Sequence, residues 1–289
     1  MSAPRVPDLD RRVEARVRAW RVAVERRAET ESSVVLFGRC DARPVVLKIV
    51  KQPGDEWTSG AVLEAFDGNG VVRVLDHAGG ALLLERLSPG TPLTSLVVSG
   101  DDHRATAILA DVMRRMSPRP PPTAAATVED WGEGFARHAA RRDPSIPQPL
   151  LVDAKRLYGT LCRSQSRVRL LHGDLHHDNV LHDSERGWVA IDPKGVVGEL
   201  EYETGAALRN PYGRPGLFTD PAVIARRVDQ LAHALELDAG RILGWAFAQA
   251  VLSAIWTVED GLAFEPHGAA CIALAGELRT MLDARGRRS

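Results

Sequence analysis

The side chains able to do chemistry concentrate between residues 172 and 192. His172-Gly173-Asp174-Leu175-His176-His177-Asp178-Asn179 reads H-x-D-x4-N, and a second acid follows an apolar stretch in Ile191-Asp192-Pro193. Transfer of a phosphoryl group from a nucleotide to a hydroxyl asks for such parts. One carboxylate orients the hydroxyl and takes its proton, while an amide and a second carboxylate offer hard oxygen ligands to Mg2+. The remaining part is a lysine on a strand for the α- and β-phosphates. Lys48 supplies it as the single charge in Val45-Val46-Leu47-Lys48-Ile49. Only four of the 37 basic residues are lysines, so one inside an apolar strand is conspicuous.

Each motif alone also occurs by chance: a strand lysine commonly faces solvent, and an Asp before Pro commonly marks a turn. Their combination and order, strand Lys, then loop Asp and Asn, then Asp, specify the phosphotransfer reading. The three loop histidines admit a second reading, because imidazoles mixed with carboxylates suit a transition metal. No H-E-x-x-H helix accompanies them, and Cys40, Cys162 and Cys271 are too far apart for zinc spacing or a disulfide framework. His172 is therefore expected to brace the loop by hydrogen bonds, with His176 and His177 bordering the substrate.

These parts need a scaffold, and the chain is long enough to provide one. Its 289 residues are 44% hydrophobic and 26% charged with a net charge of -1, which excludes a disordered chain and a generally basic nucleic-acid binder. No signal-peptide or membrane-spanning pattern is visible, and Leu243 to Trp256, interrupted by Gln249, reads as a buried helix. The expectation is a cytoplasmic monomer without membrane or nucleic-acid partners.

Apolar teeth at Val13, Val17, Trp20 and Val24 predict a helix over 12–28. Hairpins are predicted from Val34 to Val50 and from Val71 to Leu87, with a helix from Pro53 to Phe66 between them, ended by the turn Asp67-Gly68-Asn69-Gly70. The first ~90 residues thus read β-β-α-β-β after the opening helix. Helical periodicity then covers 101–117, 129–141, 149–165, 220–236, 240–258 and 267–284, with a proline-rich break over 118–122. Short strands surround the polar loop. The predicted class is α+β, with a small β-rich lobe over 1–87 and a larger, mainly helical lobe over 88–289. Ligands usually bind in the crevice of such a plan.

At "LLHGDLHHDNVL", "GWVAIDPKGVVGE" and "FDGNGVVRVL" the chain resembles the aminoglycoside phosphotransferase superfamily, most closely its streptomycin 6-phosphotransferase and hydroxyurea phosphotransferase branch. The resemblance runs from about Ser32 to the C-terminal helices and implies a protein-kinase-like two-lobed fold and ATP-dependent phosphorylation of a small-molecule hydroxyl. It implies Asp174 as catalytic base, Asn179 and Asp192 as Mg2+ ligands, and Lys48 on the nucleotide phosphates. Glu56 is the expected ion-pair partner of Lys48, with Glu64 its competitor. The backbone at Glu85 and Leu87 is expected to meet adenine, and Ser33, with Ser32, to approach phosphate. No G-x-G-x-x-G covers the phosphates, and Asp192-Pro193-Lys194-Gly195 stands where protein kinases have Asp-Phe-Gly.

Lys194 is expected near the transferred phosphoryl or the substrate, and His176 beside the acceptor. Glu259 and Asp260 are expected to hold a cationic, aminoglycoside-like substrate, whereas Glu203 is expected to be structural and Trp256 to fill the core. The expected activity is inactivation of streptomycin at its 6-hydroxyl. Hydroxyurea, an amino sugar or an amino alcohol is the alternative acceptor. A nucleotide-binding protein without catalysis and a metal-binding module are the readings from other classes.

Overall fold

The structure, a computed structural model, describes residues 8–116, 120–122, 125–141 and 143–287. The chain opens with α1 (Leu9–Ala19), then β1 (Val22–Glu29), β2 (Ser33–Cys40) and β3 (Arg43–Val50). A short 3-10 turn (Asp55–Thr58) leads into α2 (Ser59–Phe66), followed by β4 (Val74–Ala78) and β5 (Ala81–Glu85). The five strands form one antiparallel sheet in the order β1-β2-β3-β5-β4.

The structure departs from the predicted helix over 12–28. The helix stops at Ala19, and residues 22–29 form an edge strand instead. Arg21, at φ 51°, reverses the chain, and Val24, read as a helical tooth, is 45% exposed on that edge. The edge strand has little to bury, so its sequence lacks the apolar alternation that would announce it. Its backbone is satisfied by β2, which sequence periodicity does not report.

Strand alternation assigns β3 two faces. Val45, Leu47 and Ile49 join a core with Val34, Leu36 and Leu83, capped by Val13, Val17 and Trp20 around α1. The other face therefore carries Val46, Lys48 and Val50. Under it α2 packs its Val62, Leu63 and Phe66 into the main core of the molecule.

Beyond the sheet come β6 (Pro89–Pro92), α3 (Thr94–Val98), α4 (Asp102–Arg115), β7 (Ala126–Thr127), α5 (Val128–Gly132), α6 (Gly134–Arg141) and α7 (Gln148–Arg163). Then follow β8 (Arg169–Leu171), β9 (Val180–Asp183), β10 (Gly187–Ala190) and β11 (Val196–Gly198). The chain closes with α8 (Leu200–Leu208), α9 (Pro215–Phe218), α10 (Pro221–Leu235), α11 (Ala239–Glu259) and α12 (His267–Gly286). The proline-rich break over 118–122 lies partly outside the described residues.

Two small sheets, β10-β9-β6 and β7-β11-β8, flank the polar loop. Around them pack the helices, with α11 central and in contact with α6, α7, α8, α10 and α12. By length and composition α11 is apolar enough to cross a membrane, yet most of it is buried inside the fold, the place of a core helix. The β-rich part is tied to this body where Val72 N donates to Ala190 O and Ala190 N to Gly70 O, both at 2.8 Å.

Candidate active site

Lys48 is buried, and its Nζ lies 2.9 Å from Glu56 and 2.9 Å from Asp192. Burial pulls the lysine pKa down, but Asp192 and Glu56 outweigh it, so the ammonium is held above its ordinary value. Glu64, the competing partner, faces His77 at 3.2 Å instead. Gly60 permits this packing of α2, since a Cβ there would stand 2.3 Å from the His77 ring.

The β9–β10 hairpin sets Asn179 beside Asp192. Ala190 pairs with Val180, and one step further out Ile191 N donates to Asn179 O at 2.9 Å. The Asn179 side-chain amide donates to Asp174 O at 3.0 Å, which leaves its oxygen, a hard donor, for a cation. Asp192 sits in the left-handed region at φ 56°. An amide oxygen and a carboxylate so juxtaposed fit the few-ligand habit of Mg2+.

His172 anchors the loop. Its Nε2 lies 2.8 Å from Ile191 O, and Asp174 N donates to its Nδ1 at 3.2 Å, so one nitrogen donates and the other accepts. That arrangement requires a neutral ring, and burial lowers the pKa to about 4. From below, the buried Glu203 carboxylate accepts from His172 N at 2.6 Å and Gly173 N at 3.1 Å. Burial raises the Glu203 carboxyl to about 7 against these hydrogen bonds.

Asp174 meets three cationic or imidazole groups. Arg209 Nη2 is 3.3 Å away, Lys194 Nζ 3.7 Å, and His176 Nε2 3.9 Å. Burial opposes ionisation here, but Lys194, His176 and Arg209 outweigh it and hold the carboxyl well below the ordinary range. Arg209, at the end of α8, is itself fixed by Gln249 at 3.0 Å. Nothing around Arg209 in the sequence announces it. The usable signal was Gln249, the polar interruption of an otherwise apolar helix, because a buried amide requires a partner.

Asp174, His176 and Lys194 open onto a cavity of about 610 Å3, together with Trp131, Arg137, Arg209, Tyr212, Trp256, Asp260 and His267 among others. The sequence carries no signal that places Arg137, Trp131, Tyr212 and His267 at this wall. Trp256, expected in the core, is half-buried and lines this cavity, edge-on to Trp131 at 5.6 Å between ring centres. Asp260 lines the cavity as well. Glu259 does not, and both of its oxygens are taken by Arg137, at 3.0 and 3.1 Å.

Ser33, Glu85, Leu87 and His177 have these surroundings. Ser33 is buried and its hydroxyl lies 2.9 Å from Thr30 Oγ1, whereas Ser32 Oγ approaches Glu56 at 3.4 Å. The Glu85 carboxylate is engaged by Arg73 and Arg186, and its amide donates to Arg73 O at 3.1 Å. Leu87 joins the main core. His177, expected to border substrate, is instead fully buried, and neither ring nitrogen has a hydrogen-bond partner among the described residues.

Solved structures share this architecture. A choline kinase from Streptococcus pneumoniae superposes with a TM-score of 0.65 over 94% of this chain and 99% of its own, at 14% identity. A thermostable mutant of an aminoglycoside phosphotransferase gives 0.67 over 92% and 97%, at 16% identity. At such identity the likeness establishes the fold, the protein-kinase-like one anticipated. Sequence relatives go further. A streptomycin 3''-kinase of Klebsiella pneumoniae is 35% identical over 88% of this chain and 95% of its own length. A streptomycin 6-kinase of Streptomyces griseus is 33% identical over 82% and 78%. A hydroxyurea phosphotransferase of Kitasatospora aureofaciens is 32% identical over 77% and 65%. Residues 19–261 match the family model described as aminoglycoside/hydroxyurea antibiotic resistance kinase. That span holds the Lys48–Glu56–Asp192 cluster, the braced loop and the cavity wall up to Asp260, and the chain belongs to the aminoglycoside/hydroxyurea antibiotic resistance kinase family of phosphotransferases.

Proposed function

We propose that the protein transfers the γ-phosphoryl group of ATP to a hydroxyl of streptomycin, the 6-hydroxyl first. The observation that carries this reading is the Asp174 carboxylate, backed by Arg209 and Lys194, at the wall of a cavity flanked by tryptophans and carboxylates. Asp174 accepts a hydrogen bond from the acceptor hydroxyl and orients its oxygen toward phosphorus. As the new P–O bond forms and the bond to the ADP oxygen breaks, the hydroxyl proton passes to the Asp174 carboxylate.

Asn179 and Asp192 hold Mg2+, which when bound offsets the charge of the phosphates. Lys48, released from Asp192 and kept in line by Glu56, binds the α- and β-phosphates. Lys194 lies within reach of the transferred group, and His176 borders the acceptor. Asp260 contributes negative charge to the cavity, which favours a guanidinium-bearing substrate over a neutral one.

A second reading changes only the hydroxyl. The 35% identical relative is named for the 3'' position and the 33% identical one for the 6 position. One experiment addresses acceptor and position together. Streptomycin, other aminoglycosides and hydroxyurea are incubated with Mg-ATP, mass gain of one phosphate is recorded, and phosphorus NMR locates it. Phosphorylated streptomycin is the expected product; no transfer to it would end the proposal.

A further inference from the structure

The cavity carries a guanidinium of its own. Arg137, on α6, lines it and closes a two-pronged ion pair with Glu259 at the end of α11, through Nε to Oε1 at 3.0 Å and Nη2 to Oε2 at 3.1 Å. This is the fork geometry in which a carboxylate receives any guanidinium. The partners differ in access: the Glu259 side chain is 12% exposed, that of Arg137 50%. The Arg137 group also lies near the Trp256 indole. A Cβ on Gly134 would stand 3.5 Å from Arg137 Nη2 and 3.7 Å from Trp256 Nε1.

We infer that Arg137 occupies the guanidinium subsite of the acceptor cavity and is displaced from Glu259 by the guanidino group of the substrate. The inference rests on the proposed cationic acceptor and adds the residue pair that selects it. The exchange conserves both charge-assisted hydrogen bonds to Glu259, so the largely buried carboxylate is never left unpaired. Arg137, half open to water already, moves into solvent, where its charge is rehydrated while the substrate's guanidinium takes over the fork. A neutral acceptor has no charge to offer and leaves the pair closed. Its loss also removes one cation from a wall that keeps Lys194 and Arg209, making the emptied position more receptive to a cationic ligand.

Two measurements test this. Methylguanidine, a guanidinium without the sugar, is titrated in thermal-shift experiments against the wild type, Arg137→Ala, and Arg137→Ala combined with Glu259→Gln. The expected result is a rise in Tm for Arg137→Ala alone; no rise there would overturn the subsite. For streptomycin phosphorylation, Arg137→Ala should lower KM about two- to fivefold. Glu259→Gln should raise it roughly tenfold or more. A raised KM in Arg137→Ala would show that Arg137 holds the substrate itself, against the inference. If no variant phosphorylates streptomycin while methylguanidine still stabilises Arg137→Ala, the subsite stands and streptomycin is withdrawn as the acceptor.

Discussion

Two carboxylates in one loop region have opposite surroundings, and their substitutions should separate accordingly. Asp174 faces the cavity amid Arg209, Lys194 and His176, whereas Asp192 turns to Lys48 on the sheet side. Asp174→Ala should lose roughly 10²–10⁴ in kcat while Mg-ATP binding persists, because the carboxylate acts on the acceptor hydroxyl. Asp192→Ala should abolish Mg-ATP binding. Isothermal titration of both variants checks this, and the reverse pattern would exchange their roles. Lys48→Ala should impair nucleotide use, and Lys48→Arg should not rescue it. Glu56 and Asp192 both stand 2.9 Å from a compact ammonium in a buried site, and a planar fork does not fit there. Wild-type constants in either variant would count against the assignment.

At the scale of elements, α8 organises the site from both of its turns. Its Glu203 holds the loop backbone at His172 and Gly173, and its terminal Arg209 reaches Asp174. The helix is buried nearly all round, with Glu201 its least buried member, which erases the periodicity by which helices are read in sequence. A second brace joins α4 to α10. Arg227 is 2% exposed and donates to Asp102 from Nε at 3.1 Å and Nη2 at 2.6 Å, and also to the carbonyls of Ala207 and Asn210. Burial disfavours the Asp102 charge, but Arg227 and Arg226 prevail and lower its carboxyl to about 2. Asp102→Ala would strand the guanidinium, and the expected loss is about 3–5 kcal/mol in urea unfolding. A loss below ~1 kcal/mol would mean that the carbonyls alone satisfy Arg227.

For the whole molecule, buried titratable groups predict how stability responds to pH. His172 is lowered from 6.5 to about 4, His177 to about 3, and His176 and His267 are lowered too, each led by burial. Such groups stay neutral in the fold while the unfolded chain protonates, so their contribution is complete above 6.5 and falls away toward the lowered values. Glu203, raised from 4.5 to about 7, acts in the opposite sense: its contribution is complete below 4.5 and is lost as pH rises through 7. Glu201 is also raised, chiefly by burial. Four imidazoles outweigh two carboxyls, so Tm should fall on acidification from pH 7.5 to 5. Thermal unfolding at the two pH values checks the sign, and a higher Tm at pH 5 would show that the glutamates dominate.

Family and fold class were legible in the sequence because their signals are local. A polar loop of fixed spacing, a charge inside an apolar strand and turns marked by glycine all lie within a few residues of one another. The turn Asp67-Gly68-Asn69-Gly70, with Asp67, Gly68 and Gly70 at positive φ, is such a case, and so is the β2–β3 pair. What required the tertiary structure was set by partners distant along the chain. β1 is a strand because β2 offers its edge, and Ser33 turns inward because Thr30 and the sheet enclose it. Arg209 meets Asp174 because α8 spans the distance, and Glu259 is occupied because α6 delivers Arg137 across 122 residues of sequence. A sequence shows which groups want partners. Which partner each one receives follows from packing, where burial makes an unpaired charge costly and the chain's path decides who is near.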